Sequence, residues 1–425
     1  MWRRLLASVL ILLAGCSAQQ DGQTQGPPVL SVWAHAGQAA ERRTIEQQVA
    51  RFNQAQADVR AQLTFIPERS YNAQIQAAAI AGELPDVLEF DGPFLYNYVW
   101  QGHLVALDAL LSMQTQSELL RSITEQGRYL ERLYGVGTFD SGLGLYARRS
   151  ALKAAGLRLP TGPEDAWSGD EFTALLAALA ARDEDGMVLD LKLNYAGEWF
   201  TYAFSPLLQS AGGDLIDRSD YQSARNLLNG PQALAAMQML QGWLTGGFVD
   251  PNLDDAAFVS GRVAISWAGH WEYPRYAEAH GDDLVVLPLP DLGKGSRTGQ
   301  GSWVWGVTRR CDNPQAAARF LEFLLQPDEV LAMASANGAV PATGQAIARS
   351  PLYGEKGPLH LFSRQLRDGF AVPRPQTPAY PVITSAFQQA FADIRNKGDV
   401  QAALNRATET IDQDIRDNQG YPPPR

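Results

Sequence analysis

Beyond residue 28 the chain alternates strands with helices, and that order constrains the fold more than any other feature. Val29 to His35 is a short apolar run of the kind that forms a buried strand. Gln38 to Gln56 follows with Ile45, Val49 and Phe52 at helical spacing. Gln62 to Ile66 reads as a second strand stopped by Pro67, and Tyr71 to Ala81 as a helix ending at Gly82. Asp86 to Phe90 is a third strand, set between Pro85 and Gly92-Pro93. A helix between two strands carries the chain back across the sheet, so this order predicts an α/β fold with parallel strands.

Further strands are expected at Tyr134–Phe139 and Leu143–Arg148, and from about Pro163 the chain turns mostly helical. Gly230-Pro231 opens a helix with Leu234, Met237 and Leu240 on one face. Val263–Trp267, Leu284–Leu287 and Trp303–Thr308 are strand-like. Asn313-Pro314 caps a helix carrying Phe320, Leu321 and Leu324, and Asp399 caps the last one, with Leu404, Ile411 and Ile415 inward. A length of 425 residues suggests two domains. No stretch reads as a linker between them, so the chain is expected to cross between lobes more than once.

The N-terminus bounds the compartment. Arg3 and Arg4 precede Leu5 to Ala14, an apolar stretch broken only by Ser8. Ten helical residues rise about 15 Å against a hydrocarbon core of about 30 Å, so residues 1–15 read as a signal peptide, not a membrane span. The stretch ends Leu13-Ala14-Gly15-Cys16, which resembles the bacterial lipobox. That resemblance implies that Cys16 is diacylated and begins the mature protein. Residues 16–28 are polar with Gly and Pro, a flexible tether; residues 419–425 are expected to be a loose tail. A net charge of -11 disfavours nucleic acid or anionic lipid as partners, so membrane contact is expected through the lipid alone. The only other cysteine, Cys311, is then left without a disulfide partner and reads as structural.

Several segments together resemble the family 1 extracellular solute-binding proteins of carbohydrate ABC importers. They are Val32-Trp33-Ala34-His35, Ala81-Gly82-Glu83-Leu84-Pro85-Asp86-Val87, Gly102-His103-Leu104-Val105-Ala106-Leu107-Asp108 and Phe258-Val259-Ser260-Gly261-Arg262-Val263-Ala264 with Trp267 after it. Their order and spacing run from about Val32 to Tyr380. Ala147-Arg148 departs from the Tyr-Asn pair of many members. The resemblance implies a two-lobed periplasmic-binding-protein fold with a hinge and a ligand cleft between the lobes. One lobe is expected to comprise residues 29–139 and 303–340, the other 140–302 and 341–418. The implied partners are a carbohydrate ligand and the transmembrane subunits of an ABC permease; the protein is expected to be a monomer with no cofactor.

Three places look like the trehalose/maltose-type receptors: Asp91 after its strand, Asp140 in Thr138-Phe139-Asp140-Ser141-Gly142, and Arg374 with Tyr380 in Arg374-Pro375-Gln376-Thr377-Pro378-Ala379-Tyr380. The resemblance places these, and Trp303, on the ligand cleft. Sugar chemistry agrees. Hydroxyl groups suit carboxylates and guanidinium forks, and apolar C–H faces suit flat indoles. Trp267 or Trp271 is expected to supply a second stacking surface, while Trp33 and Gln38 are further candidates. Trp305 is expected to belong in the core. His35 reads as a satisfied polar residue. A structural ion pair is the alternative reading for Asp91, Asp140 and Arg374.

No catalytic constellation appears. The five histidines are scattered without a metal-binding spacing, and no G-x-S-x-G elbow is present. Gly142-Leu143-Gly144-Leu145-Tyr146-Ala147 fits a dinucleotide fingerprint only on paper, since its Leu and Tyr suit a strand. The expected function is capture of a neutral di- or oligosaccharide for import. A receptor for a phosphorylated polyol such as glycerol 3-phosphate and a lipid-anchored glycoside-acting enzyme are the alternatives. Replacing Arg374 or Asp140 by Ala is expected to weaken binding and leave the ligand-free fold intact. The lipobox has its own test: Cys16→Ser should move the protein into the soluble fraction or leave the precursor uncleaved. A variant that fractionates and migrates like wild type overturns it.

Overall fold

A computed structural model describes residues 27–423, so the signal peptide, Cys16 and most of the tether lie outside the described residues. Two four-stranded sheets organise the chain. In the first, Val29–His35 lies between Arg60–Ile66 and Val87–Asp91, all parallel, and Trp303–Val307 runs antiparallel along the Val87–Asp91 edge. In the second, Leu143–Arg148 lies antiparallel between Leu284–Leu287 and Ile265–Gly269, and Leu189–Asp190 adds in parallel. The second sheet is therefore mixed, not parallel as the alternation predicts. The strands by which the chain enters a lobe from the hinge, Leu143–Arg148 and Trp303–Val307, run away from the hinge. Each is antiparallel to a strand running towards it.

Each sheet is covered on both faces. In the N-terminal lobe Leu30, Val32 and Ala34 meet Ile45, Phe52 and Phe320 on one side. On the other, Leu88 and Phe90 meet Ile75 and Phe94. In the C-terminal lobe Leu145 and Ile265 pack on Phe204, Trp243 and Phe387, and Tyr146 and Ala268 on Tyr276 and Phe362. Ala342 and Ala346 join the N-terminal core, just past the expected boundary at residue 340. The helix ends follow the residues that specify them. Asn313 Oδ1 accepts from the Ala316 N–H at 3.0 Å, Asp399 Oδ1 from Ala402 at 2.6 Å, and Gly82 closes its helix at φ +70°.

The crossings between lobes are stitched together. Phe139–Asp140 pairs with Val340–Pro341, and Thr298–Gln300 with Ala371–Pro373. Asp140 lies at the meeting point: its Oδ1 accepts from the N–H groups of Ser141 at 2.8 Å and Gly301 at 3.1 Å, and it is 0% exposed. Asp140 thus joins two crossings and does not line the cleft, which corrects its assignment as a ligand contact. Tyr134–Phe139 is not one continuous strand either: Phe139 belongs to the pairing with Pro341. Only Val136 bridges Trp305, and Gly135 presses so near the Trp303–Val307 strand that a Cβ there would lie 2.4 Å from Val304 Cγ1. Of the expected loose tail, the described residues 419–423 include two that are held in place. Trp100 Nε1 donates to the Pro422 carbonyl at 2.8 Å, and the Trp100 and Tyr421 rings meet edge-on at 5.0 Å.

The hinge makes a prediction. Asp140→Ala leaves two buried N–H groups without an acceptor and should cost about 2 kcal/mol or more in a denaturant titration. Asp140→Asn keeps an acceptor and should cost much less. Burial raises the Asp140 pKa, so the folded state takes up the proton at higher pH than the unfolded chain. Wild type should therefore gain stability relative to Asp140→Asn as pH falls from 7 through the folded pKa. Equal losses in both variants, or no pH dependence of the difference between wild type and Asp140→Asn, would refute this account.

Candidate ligand-binding cleft

Strand direction fixes where a site can form. The parallel strands of the N-terminal lobe end together at His35, Ile66 and Asp91, and Trp303 starts beside Asp91. In the C-terminal lobe Ile265–Gly269 and Leu189–Asp190 also end towards the hinge. Side chains just past the carboxyl ends of such strands face the crevice. A cavity of about 290 Å³ lies there, walled by both lobes. That is close to the lower end of the roughly 300–1,000 Å³ usual for small-molecule sites.

The same geometry sorts the expected residues. Trp303 and Trp271 line the cavity from opposite lobes, Gln38 stands exposed at its rim, and Asp91 and Arg374 lie on its wall. Trp33 sits one pleat back along the Val29–His35 strand and packs against the N-terminal core, away from the cavity. Trp267, in mid-strand, is 0% exposed and lies against Phe204 with ring centroids 5.8 Å apart. It is core, and Trp271, beyond the strand end, is the indole that reaches the cavity. Tyr380 is buried beneath the wall, edge-on to Phe94 at 5.5 Å, with its hydroxyl donating to Glu198. Trp305, two residues along, lies on the same side of the strand as Trp303 and is buried in the N-terminal core, one step further from the cavity.

Arg374 is the centre of the wall. Its Nη1 and Nη2 donate to Asp91 at 2.9 and 2.6 Å, and Nη1 also reaches Glu198 at 3.1 Å. The guanidinium lies 5.0 Å from the centre of the Tyr202 ring. Asp91 comes from the N-terminal sheet and Glu198 from the start of the Trp199–Ala211 helix, so the cation bridges the lobes. Burial pushes the Glu198 pKa up and Arg374 pulls it back; Tyr380 and Thr384 both donate to this carboxylate. The ion pair held open as an alternative for Asp91 and Arg374 is therefore present. Arg374 Nε and Asn72 Oδ1 are buried without a partner among the described residues, and both side chains border the cavity.

The indoles are braced from behind. Trp271 Nε1 donates to the Tyr195 hydroxyl at 3.2 Å, and Tyr195 donates to Glu272. Glu272 is fixed by Arg275 at 2.6 Å and faces the buried Lys192 at 3.7 Å. Trp303 lies flat on His35. Sequence reasoning missed Glu198, Tyr195 and Tyr202. The loop Asn194-Tyr195-Ala196-Gly197-Glu198-Trp199, aromatic and Gly-bearing before a helix, is the signal that could have found them. Among the described residues no His, Cys, Asp and Glu cluster is arranged to hold a metal, and no helix is long and apolar enough to cross a membrane.

The profile of the family described as "Bacterial extracellular solute-binding protein" matches residues 47–356. The chain belongs to this family. Its fold and family are those of solute-binding proteins, not of enzymes. Over 94% of its length it is 26% identical to a Streptomyces antibioticus protein named "Uncharacterized lipoprotein in oleD 5'region", covering 90% of that protein. Solved structures with the same two-lobed fold include the cyclic alpha-maltosyl-1,6-maltose binding protein of Arthrobacter globiformis. It has TM-score 0.72 and 24% identity, with 92% of this chain and 100% of that one covered. The GacH receptor of Streptomyces glaucescens, solved unliganded and with acarbose, has TM-score 0.77 and 18% identity, with 92% and 98% covered. Maltose-bound MalE3 of T. maritima has TM-score 0.75 and 21% identity, with 90% and 98% covered.

The bridging cation reverses one expectation from sequence. Arg374→Ala leaves Asp91 and Glu198 facing each other without a counter-ion, so it should destabilise the ligand-free protein by about 3–5 kcal/mol. Chemical denaturation without ligand measures this. An unchanged midpoint would mean that the triad contributes nothing to the fold.

Proposed function

We propose that this solute-binding protein captures a neutral saccharide in the cleft and delivers it to the transmembrane subunits of an ABC permease. The observation that carries the reading is the pair of braced indoles, Trp303 and Trp271, presented to one cavity from opposite lobes. Flat apolar rings suit the C–H faces of a pyranose, and the polar atoms between them suit its hydroxyl groups. The relatives named above bind maltosyl saccharides, maltose and acarbose, which supports a carbohydrate here. Charge argues against the phosphorylated polyol. Glu41, Glu68, Asp91 and Glu198 border the cavity against Arg69, Arg374 and His35; Arg374 is already shared by two carboxylates, and His35 also faces two.

A ligand held between Trp303 and Trp271 touches both lobes and favours whichever arrangement brings them together. The anchor at Cys16, supported by the lipoprotein name of the Streptomyces relative, would keep the receptor on the outer side of the cytoplasmic membrane or in the periplasm. The cavity's size suits a short saccharide.

A thermal-shift screen over neutral sugars, amino sugars and sugar phosphates tests the reading. A ligand at 100 times its dissociation constant stabilises by about 2.7 kcal/mol, which a melting curve resolves. The expected outcome is a shift with a neutral mono-, di- or trisaccharide that is recovered chemically intact. Trp271→Ala should weaken its binding about ten-fold or more in calorimetry, and scattering should show a smaller radius of gyration with ligand. Selective stabilisation by a sugar phosphate, or cleavage of the sugar, would overturn the proposal.

A further inference from the structure

His35 reads from sequence as a satisfied polar residue, and the structure places it under Trp303 at the inner edge of the cavity, which it also borders. It is 5% exposed, and its ring lies on the Trp303 indole with centroids 3.8 Å apart and planes 1° from parallel. Tyr71 meets the same indole edge-on at 5.1 Å. The remaining surface of Trp303 borders the cavity. The imidazole faces a carboxylate at each nitrogen: Nδ1 is hydrogen-bonded to Glu89 Oε2 at 2.7 Å, and Nε2 lies at the longer ion-pair distance of 3.6 Å from Glu41 Oε2. The His35 backbone N–H also donates to Glu89 Oε2 at 3.0 Å, and Asn337 fixes Glu41 at 3.1 Å. A ring with a carboxylate at each nitrogen has a donor to give to each only when both nitrogens carry protons.

We propose that His35 is a positioning residue: as an imidazolium clamped between Glu89 and Glu41, it holds the Trp303 indole flat as the stacking platform of the N-terminal lobe. A cation against a ring face is attracted by the π-electrons, and the attraction grows where water is excluded. The clamp turns a side chain with two free torsions into a fixed surface, so a ligand orders less on binding. The proposal rests on the reading that Trp303 stacks on a sugar.

The charge is maintained by its surroundings. Burial alone would lower the His35 pKa, but Glu89 and Glu41 more than reverse this and hold it well above the ordinary value. Other charged or titratable groups also face this pocket. Glu68 lies on the turn before Tyr71–Ala81, and Asp91 lies beyond Glu89 on the same strand. Arg42 donates to the Gly37 carbonyl. His270, from the other lobe, has its pKa lowered to about 4 by burial and is neutral at pH 7. A His pKa raised in the fold means that the charged form persists through neutral pH and is lost only as pH rises through the raised value.

Glu89 does not border the cavity, and its carboxylate bonds to His35, so removing its charge reaches the ligand chiefly through His35. The experiment uses the full mature chain, with Glu89→Gln and His35→Gln each checked by ligand-free melting curves. Binding of the best sugar is measured by calorimetry from pH 6 to pH 8. Tryptophan emission and the His35 ring C–H signals are titrated in the absence of ligand. Wild-type affinity should be flat over this range. In Glu89→Gln the His35 titration drops towards neutral pH, and affinity should fall about five-fold as pH rises. His35→Gln should bind about ten-fold more weakly at every pH. The Glu89→Gln emission change should share its midpoint with the ring signals and vanish in a Trp303→Phe background. Emission that ignores the His35 titration overturns the proposal even if no sugar binds. If emission follows the titration and no sugar is found, the sugar reading fails and the clamp stands. Should Glu89→Gln not fold, a His35→Gln variant that binds as tightly as wild type overturns the clamp by itself.

Discussion

Two carboxylates from different lobes share one guanidinium, and the cleft is built around that arrangement. Asp91 ends a strand of the first sheet, Glu198 opens a helix of the second lobe, and Arg374 follows the Ala371–Pro373 strand beside the hinge. Removing three charges from water is costly, and only close, multiple hydrogen bonds make it tolerable. The bidentate contact to Asp91 and the support of Glu198 by Tyr380 and Thr384 supply them. The bridge also links the two lobes from inside the site. The two Nη atoms of Arg374 hold carboxylates, while its Nε, on a side chain that borders the cavity, is left without a partner among the described residues.

A similar division runs through the aromatic side chains. Trp303 and Trp271 face the cavity, and each is held by groups behind or beside it: His35 with its two carboxylates on one side, Tyr195 with Glu272 and Lys192 on the other. Buried charge thereby fixes the orientation of an apolar surface. The cost of burying Lys192 and Glu272, 1% and 0% exposed at the side chain, makes sense in a receptor whose ligand offers mostly weak contacts. Weak contacts discriminate well only when the surfaces making them do not move.

Much of this was legible in the sequence, for identifiable reasons. Strand and helix patterns place Val29–His35, Val87–Asp91 and the capped helices within a few residues, because local apolar spacing and caps are local properties. The glycines of Tyr134–Phe139 mislead that reading, since close approach to a neighbouring strand leaves no periodic trace. The likeness to a known family marks Asp91, Trp303 and Arg374 as near one another, yet it does not say whether their charges face a ligand or each other. Asp140 shows the difference: a buried carboxylate at a chain crossing accepts backbone N–H groups before it can accept a hydroxyl. Trp267 and Trp271 differ only by position relative to a strand end, and a four-residue offset decides between core and cleft. Glu198, far in sequence from its partner Arg374, lies in a segment without a recognisable motif.

The chain's last described residues bear on how such a receptor can be handled. Tyr421 packs with the second lobe, while Trp100, on which it lies and whose indole N–H binds the Pro422 carbonyl, belongs to the first. Any rotation of one lobe against the other must carry that contact or break it. An affinity handle or reporter fused after Arg425 would begin its path two residues from Pro423 and beside a joint between moving bodies. It would report on, or interfere with, the spacing of the lobes, whereas a fusion on an exposed loop of one lobe would leave that joint untouched.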